Sequence, residues 1–177
     1  MPDTAPPPAV EIARFVDESM RGGKRLGEEV LIKMVKELAR LFAVKTDEIA
    51  ILQLTPDNTM LQFVYPLKLR NVGSIPMTTA HSLAVRTAKD KRPEMINNFP
   101  AQKHPTIFEA VSLGDGDEKQ PIQKIISAPL LLDSKTVGVI QISRKGKSRT
   151  SAGSDFSIRD LTALMSTASV LAKCFQP

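Results

Sequence analysis

Cysteine, tryptophan and long apolar runs are scarce or absent in this chain of 177 residues. The single cysteine, Cys174, excludes an internal disulfide and any chemistry that needs two thiols in one chain. No apolar run approaches the roughly 20 residues that cross a bilayer, and the N-terminus has prolines where a signal peptide has an apolar stretch. We therefore expect a cytoplasmic protein without a membrane segment.

Motifs for metals, phosphates and catalysis are also missing. The two histidines, His81 and His104, have no carboxylate or thiol at ligand spacing, and the acids at 115–118 lack the spacing of a calcium loop. No nucleophile elbow, phosphate loop or dinucleotide fingerprint occurs. The formal net charge is +5, but the basic stretches 21–25 and 144–149 hold no aromatic residue on which a base could stack. We predict no metal site, no catalytic residue and no nucleic-acid partner, and the sequence identifies no cofactor.

The composition is 42 % hydrophobic, which is enough for one packed domain. Residues 1–23 are predicted to form a mobile, proline-containing head followed by a short helix, Val10–Met20. Residues 24–177 are predicted to form a single domain. Within it, apolar residues at helical spacing indicate an amphipathic helix over residues 26–42.

Two hairpin patterns flank an irregular middle. Residues 48–65 alternate like strands around a Pro-Asp-Asn turn. Residues 124–143 form a second pair of runs that are apolar on both faces, which is typical of strands inside a covered sheet. Ser157 and Asp160 then fit a capping box, so a last helix should begin at about Ile158.

The order helix, hairpin, variable middle, hairpin, helix resembles a GAF domain over about residues 24–176. The stretch IISAPLLLDSKTVGVIQISRK followed by FSIRDLTALMSTASVLA is similar to the family's apolar strand with a proline, polar turn, glycine-bearing strand and Phe-led helix. The resemblance implies an α+β fold with an antiparallel sheet of five or six strands. Two long helices would pack on one face, and short helices and loops would form a pocket on the other.

That resemblance implies a non-catalytic sensory domain that binds an unidentified small molecule in bacterial signal transduction. Relatives that reduce free methionine sulfoxide need two thiols, whereas this chain has only Cys174. The cysteine–histidine pair of bilin attachment and the Asn-Lys-Phe-Asp-Glu signature of cyclic-nucleotide binding are absent too. With no kinase, cyclase, phosphodiesterase or DNA-binding segment, the chain is expected to act in trans on a signalling protein.

The alternative is a dimerisation or protein-interaction module whose pocket is filled by its own side chains. Relatives often pair through their terminal helices, so a homodimer would form through Val10–Met20 and Ser157–Phe175. Such a module predicts an apolar patch on those helices.

The candidate pocket residues lie in the irregular middle of the chain. The predicted ligand-binding residues are Thr78, Thr79, His81, Ser82, Arg86, His104 and Phe108. The first four precede a predicted helix whose N–H groups could receive an anionic ligand, and Arg86 could add a cation. Alternatively, Thr79 caps the helix and Arg86 points to water. His104 would lie in a lid, and Phe108 is either a stacking platform or a core residue. Asn97 and Asn98 either face the pocket or terminate a strand.

Overall fold

The structure of the chain, a computed structural model, describes residues 6–23, 26–70, 72–101 and 120–175. In these ranges the helices are α1 (Pro8–Arg21), α2 (Glu28–Phe42), α3 (Leu83–Asp90) and α4 (Ile158–Leu171). The strands are β1 (Ile49–Leu54), β2 (Met60–Tyr65), β3 (Ser74–Pro76), β4 (Glu94–Ile96), β5 (Ile122–Leu132) and β6 (Lys135–Lys145). Short 3₁₀ helices occupy Thr46–Glu48, Leu67–Leu69, Phe99–Ala101 and Ala172–Phe175.

The six strands form one antiparallel sheet in the order β3-β2-β1-β6-β5-β4. The predicted α+β fold with a five- or six-stranded sheet is thus confirmed, with six strands. Neither strand of the second predicted hairpin is an edge, because β6 lies between β1 and β5, and β5 lies between β6 and β4. The hairpin reverses at Asp133 and Ser134, which have φ values of 50° and 65°. Two consecutive residues of positive φ match the right-handed twist of the strands that they join.

Gly138 is required where β6 passes β1. A Cβ built on this residue would lie 2.2 Å from the carbonyl oxygen of Leu52. Real Cβ atoms do not approach a backbone oxygen so closely, so any other residue would push the two strands apart. The glycine of the apolar run therefore secures the pairing of two inner strands.

One face of the sheet is covered by α1, α2 and α4, whose buried side chains join those of the strands in one apolar cluster. The prediction placed two long helices here, α2 and α4. The structure adds α1, which contacts both of them and buries Ile12, Phe15 and Val16 in the same cluster. Pro8 stands in the first turn of α1, where a missing backbone N–H costs no hydrogen bond. The predicted mobile head lies partly outside the described residues, and the domain boundary at residue 24 stays a prediction.

The opposite face carries α3 and the loops around it. We use the name second layer for the turn Met77–Ser82, α3 and the sheet side chains beneath them. The strands supply both layers because side chains alternate: Ile126 and Ala128 of β5 face α1, α2 and α4, whereas Ile125 faces the second layer. This alternation explains the two apolar faces of the hairpin. None of the helices in the described ranges has the length and hydropathy that a bilayer-spanning segment needs.

The start of α4 agrees with the sequence. Ser157 Oγ accepts from the backbone N–H of Asp160 at 3.3 Å, and Asp160 Oδ2 accepts from the N–H of Ser157 at 2.7 Å. Phe156 and Leu161, which occupy the two positions of a hydrophobic staple on either side of the N-cap, both belong to the apolar cluster beneath the helices. The capping box is confirmed, and α4 begins at Ile158 as predicted.

Candidate functional site

The turn before α3 holds four of the predicted ligand-binding residues. Thr78 and His81 are exposed, and His81 has a φ of 61°. The N–H of Thr79 donates to the carbonyl of Pro76 at 2.9 Å, so this residue closes a turn. Ser82 is the N-cap of α3, because its Oγ accepts from the N–H of Val85 at 3.2 Å. The alternative in which Thr79 caps the helix is therefore wrong.

Arg86 lies on α3 but does not present a free cation. Its Nε and Nη2 donate to the two carboxylate oxygens of Glu94 at 2.5 and 2.8 Å. This two-point ion pair raises the pKa of Arg86 above its ordinary value, chiefly through the hydrogen bonds to Glu94. The pair joins α3 to β4 and leaves no net charge at this point. The alternative had Arg86 pointing to water, whereas the structure gives its guanidinium a fixed partner, Glu94.

The centre of the second layer contains a polar chain that sequence reasoning missed. Thr87 Oγ1 donates to the carbonyl of Leu83 at 2.8 Å, and it lies 2.8 Å from Ser127 Oγ. Because a threonine hydroxyl has one proton, the proton between the two hydroxyls must come from Ser127. Gln141 Nε2 then donates to Ser127 Oγ at 3.2 Å. All three hydrogen bonds therefore donate in the same direction. Gln141 donates to Ser127, Ser127 donates to Thr87, and Thr87 donates to a backbone carbonyl of α3.

Strand register explains how these distant residues meet. Glu94 of β4 pairs with Ser127 of β5, Ser127 pairs with Gln141 of β6, and Gln141 pairs with Ala50 of β1. The side chains of one such row point to the same face of a sheet. A polar row therefore crosses the inner strands under α3, and no local spacing in the sequence could have indicated it.

Gln141 is the one member of the polar chain that solvent reaches. Ser127 and Thr87 are fully buried, whereas Gln141 is only partly buried although it stands in an inner strand. No hydrogen bond among the described residues uses its carbonyl oxygen. Its strand neighbours are Ser127 and Ala50, and the same face of the sheet buries an apolar cluster that includes Ala50, Leu52, Phe63, Leu83, Val85, Ala88 and Val139. Gln141 thus offers an oriented amide edge at the partly exposed end of a polar row that lies on the same face as the apolar cluster.

The remaining predicted positions have different outcomes. His104 and Phe108 lie outside the described residues. Asn97 faces away from the second layer, because its side chain holds the backbone of Phe156: Nδ2 donates to the carbonyl oxygen at 3.1 Å, and Oδ1 accepts from the N–H at 2.8 Å. Within the described ranges, no group of three or more histidines, cysteines and acids could hold a metal ion.

The basic stretch 144–149 has structural partners at its start. The guanidinium of Arg144 donates to the carbonyls of Phe42 and Ala43 at the end of α2, both at 3.2 Å. Lys145 Nζ donates to the carbonyl of Asp47 at 3.0 Å. Cations commonly bind the unpaired carbonyls at a helix C-terminus. These two residues therefore fasten β6 to α2 and to the 3₁₀ helix that follows it.

Cys174 lies on the side of the sheet away from the polar chain. It belongs to the 3₁₀ helix Ala172–Phe175 and packs against the cluster formed with α1, α2 and α4. Burial raises the pKa of its thiol to about 11. A thiol with a raised pKa is a poor nucleophile at neutral pH. Its setting is that of a small apolar side chain.

The fold defines the chain as a GAF-like domain. The GAF domain of an Acinetobacter phosphoenolpyruvate-protein phosphotransferase superposes with a TM-score of 0.64 at 15 % identity, covering 94 % of this chain and 92 % of that one. Free methionine-R-sulfoxide reductase from Neisseria meningitidis, solved with its substrate, gives 0.62 at 17 % identity, covering 94 % and 85 %. The GAF domain of a two-component sensor histidine kinase from Bacillus halodurans gives 0.56 at 19 % identity, covering 85 % and 94 %.

The likeness is one of fold alone. No protein-family model matches the sequence, and no curated protein matches it. At such identities a shared fold does not transfer an activity, since one fold carries many functions. The function must be argued from the residues of this chain.

Proposed function

We propose that this chain is a non-catalytic sensory or regulatory domain that binds a small molecule in its second layer and acts on a cytoplasmic signalling partner in bacteria. The observation that carries the proposal is the amide edge of Gln141. A partly accessible amide whose carbonyl oxygen accepts no hydrogen bond among the described residues, on the sheet face that also buries an apolar cluster, is the kind of group by which ligand sites orient a bound molecule. The similar GAF domains named above belong to a phosphotransferase and a sensor kinase, which is consistent with a regulatory role.

The ligand that fits this edge has a polar group on an otherwise apolar body. Gln141 can donate one further N–H and accept at its carbonyl oxygen, while Arg86 and Glu94 neutralise each other. The exposed Thr78 and His81 stand at the entrance to α3 and stay predicted contacts. His104 and Phe108 also stay predictions.

A catalytic role like that of the methionine sulfoxide reductase is not favoured. The chain has one cysteine, and it packs on the opposite side of the sheet from Gln141. A thiol there could not attack a molecule bound in the second layer. The proposal therefore treats the ligand as a signal and not as a substrate.

A thermal-shift screen of the dialysed protein tests the proposal. The panel contains cyclic nucleotides, amino acids, oxoacids, purines and tetrapyrroles. A ligand that binds only the native state stabilises it by RT ln(1 + [L]/Kd), about 2.7 kcal/mol at a hundredfold excess over Kd. We expect a saturable rise in Tm for one chemical class.

Two matched variants locate the binding site of any ligand found. Gln141→Ala should weaken binding about tenfold or more, since a lost hydrogen bond leaves a polar ligand group unpaired. Gln62→Ala, which truncates an exposed glutamine of β2, should leave the affinity unchanged. Equal affinities for Gln141→Ala and the wild type would place the ligand elsewhere. Arg86→Ala tests the predicted cation in the same way.

The second candidate is a dimerisation or interaction module with a filled second layer. Two observations favour it: the second layer already buries a large apolar cluster, and α1 and α4 expose Val10, Met20 and Ile158. A homodimer through these helices should appear in sedimentation analysis and dissociate in Ile158→Glu. Val72→Glu, a change at another exposed valine, is the control. A monomer at all concentrations would exclude the homodimer.

A further inference from the structure

Two pairs of polar contacts, connected by the backbone of β4, link the second layer to the start of α4. Its first part is the ion pair of Arg86 and Glu94, which ties α3 to β4. β4 is short, Glu94–Ile96, and Asn97 follows it immediately. A displacement of α3 that shifts the backbone of Glu94 would reach Asn97 through only two intervening residues.

Asn97 carries the contact across the sheet edge. Its amide donates to the carbonyl of Phe156 at 3.1 Å and accepts from the N–H of Phe156 at 2.8 Å, a reciprocal pair between residues 59 positions apart. Two bonds to one residue fix both its position and its orientation. Phe156 therefore follows any movement of the Asn97 amide.

Phe156 in turn controls the start of α4. It precedes the N-cap Ser157, and its ring is buried in the apolar cluster beneath the helices, with the Arg144 guanidinium 4.6 Å from the ring centre. A residue next to the N-cap sets the angle at which the chain enters the helix. Displacement of Phe156 would loosen the capping box and the first turn.

We propose that Asn97 is the residue that couples the second layer to α4, so that the position of α3 sets the order of the first turn of α4. Among the three helices on the opposite face of the sheet, α4 is the one that this link reaches directly, and it is where a signalling partner would detect the change. The inference requires no bound ligand. It can therefore fail or succeed independently of the small-molecule proposal.

A second anchor of the same loop supplies the control. Lys124 is only 4 % exposed in its side chain, and its Nζ binds Asp155 Oδ1 at 2.8 Å and the carbonyl of Gly153. This anchor comes from β5 and makes no hydrogen bond or ion pair with Arg86 or Glu94 among the described residues. It holds the loop but lies off the proposed route.

The test is a double-mutant cycle read by amide hydrogen exchange in NMR. The reporter is the N–H of Leu161, which donates to the carbonyl of Ser157 in the first turn of α4 at 3.1 Å. Asn97→Ala should speed its exchange about 3- to 10-fold, the effect of losing ordinary hydrogen bonds that stabilise the closed form. Glu94→Gln, which weakens the ion pair, should speed it about 2- to 3-fold in the wild-type background and not at all in Asn97→Ala.

Controls separate this route from general loosening. Asn98→Ala changes an exposed neighbour and should leave the exchange unaltered. Asp155→Asn should speed exchange but preserve the response to Glu94→Gln. If Asn97→Ala does not fold, Asn97→Asp, which keeps the acceptor and loses the donor, takes its place. The proposal is overturned if Glu94→Gln has no effect on Leu161, if its effect is the same with and without Asn97, or if Asp155→Asn also abolishes it.

Discussion

The direction of hydrogen-bond donation in the polar chain predicts that Ser127→Ala and Thr87→Val will lower the free energy of unfolding by different amounts. Ser127→Ala removes the middle hydroxyl and with it the hydrogen bonds to Thr87 and Gln141. Thr87 keeps its proton on the carbonyl of Leu83, and Gln141 can bond to water because it is partly exposed. No buried donor is left without an acceptor, so the cost should be about 1–2 kcal/mol, the range of one or two neutral hydrogen bonds.

Thr87→Val should cost more, although valine has the shape of threonine. The hydroxyl proton of Ser127, which is fully buried, would lose the one acceptor that the described part of the chain gives it, since Gln141 Nε2 is itself a donor. An orphaned buried donor costs about 1–3 kcal/mol in addition to the lost bond. We therefore expect a loss of about 2–4 kcal/mol, larger than that of Ser127→Ala.

Urea unfolding followed by circular dichroism measures both losses, provided that the m-values of the variants agree. Ser169→Ala, a change at an exposed serine of α4, should stay within about 0.5 kcal/mol of the wild type. The double variant should lose less than the sum of the single losses because the two hydroxyls interact. Equal losses in the free energy of unfolding, or a larger loss for Ser127→Ala, would refute the proposed direction of hydrogen-bond donation.

Three further predictions concern other parts of the fold. Gly138→Ala should cost about 3 kcal/mol or more in urea unfolding because its Cβ would overlap a backbone oxygen of β1. Gly27→Ala, at the N-cap of α2 with no atom within 4 Å of the added Cβ, should cost only about 1 kcal/mol or less. The hydrogen bond from Lys124 is the chief reason that the pKa of Asp155 lies below its ordinary value of 3.8. The ionised carboxylate therefore stabilises the folded state above pH 3.8, and this contribution is lost as the pH falls through the lowered pKa. The difference in unfolding free energy between the wild type and Asp155→Asn should accordingly shrink below pH 3.8. Cys174, with a pKa of about 11, should react with iodoacetamide at least tenfold more slowly in the native than in the urea-unfolded protein; equal rates would contradict its burial.

Local signals in the sequence predicted most of the architecture. The capping box at Ser157 and Asp160 depends on residues three positions apart, and the turn at Asp133 and Ser134 depends on neighbours. Such features are set by short-range sterics and hydrogen bonding, which act within a few residues.

The site was predicted less well because its contacts are long-range. Thr87 and Ser127 are 40 positions apart, and Asn97 and Phe156 are 59 apart. Only the strand register brings them together, and register follows from the whole sheet and not from local spacing. Arg86 was correctly placed on a helix, but its partner Glu94 belongs to a strand whose neighbours the sequence did not define.

Replacing all three members of the polar chain would show whether it recognises a ligand or only packs α3 against the sheet. Replacing every partner of a buried hydrogen-bond network by apolar side chains of similar shape is often nearly neutral, whereas removing one partner is costly. The triple variant Thr87→Val, Ser127→Ala, Gln141→Leu should therefore be within about 1.5 kcal/mol of the wild type in its free energy of unfolding, and more stable than Thr87→Val alone.

The binding properties of this triple variant separate the two roles. If the polar chain of Gln141, Ser127 and Thr87 only fastens α3, the variant should retain every measurable property of the protein, including its partner contacts. If Gln141 recognises a ligand, the triple variant should fold normally and lose the thermal shift that the ligand gives the wild type. A stable triple variant that still binds the ligand with unchanged affinity would assign the polar chain to structure alone.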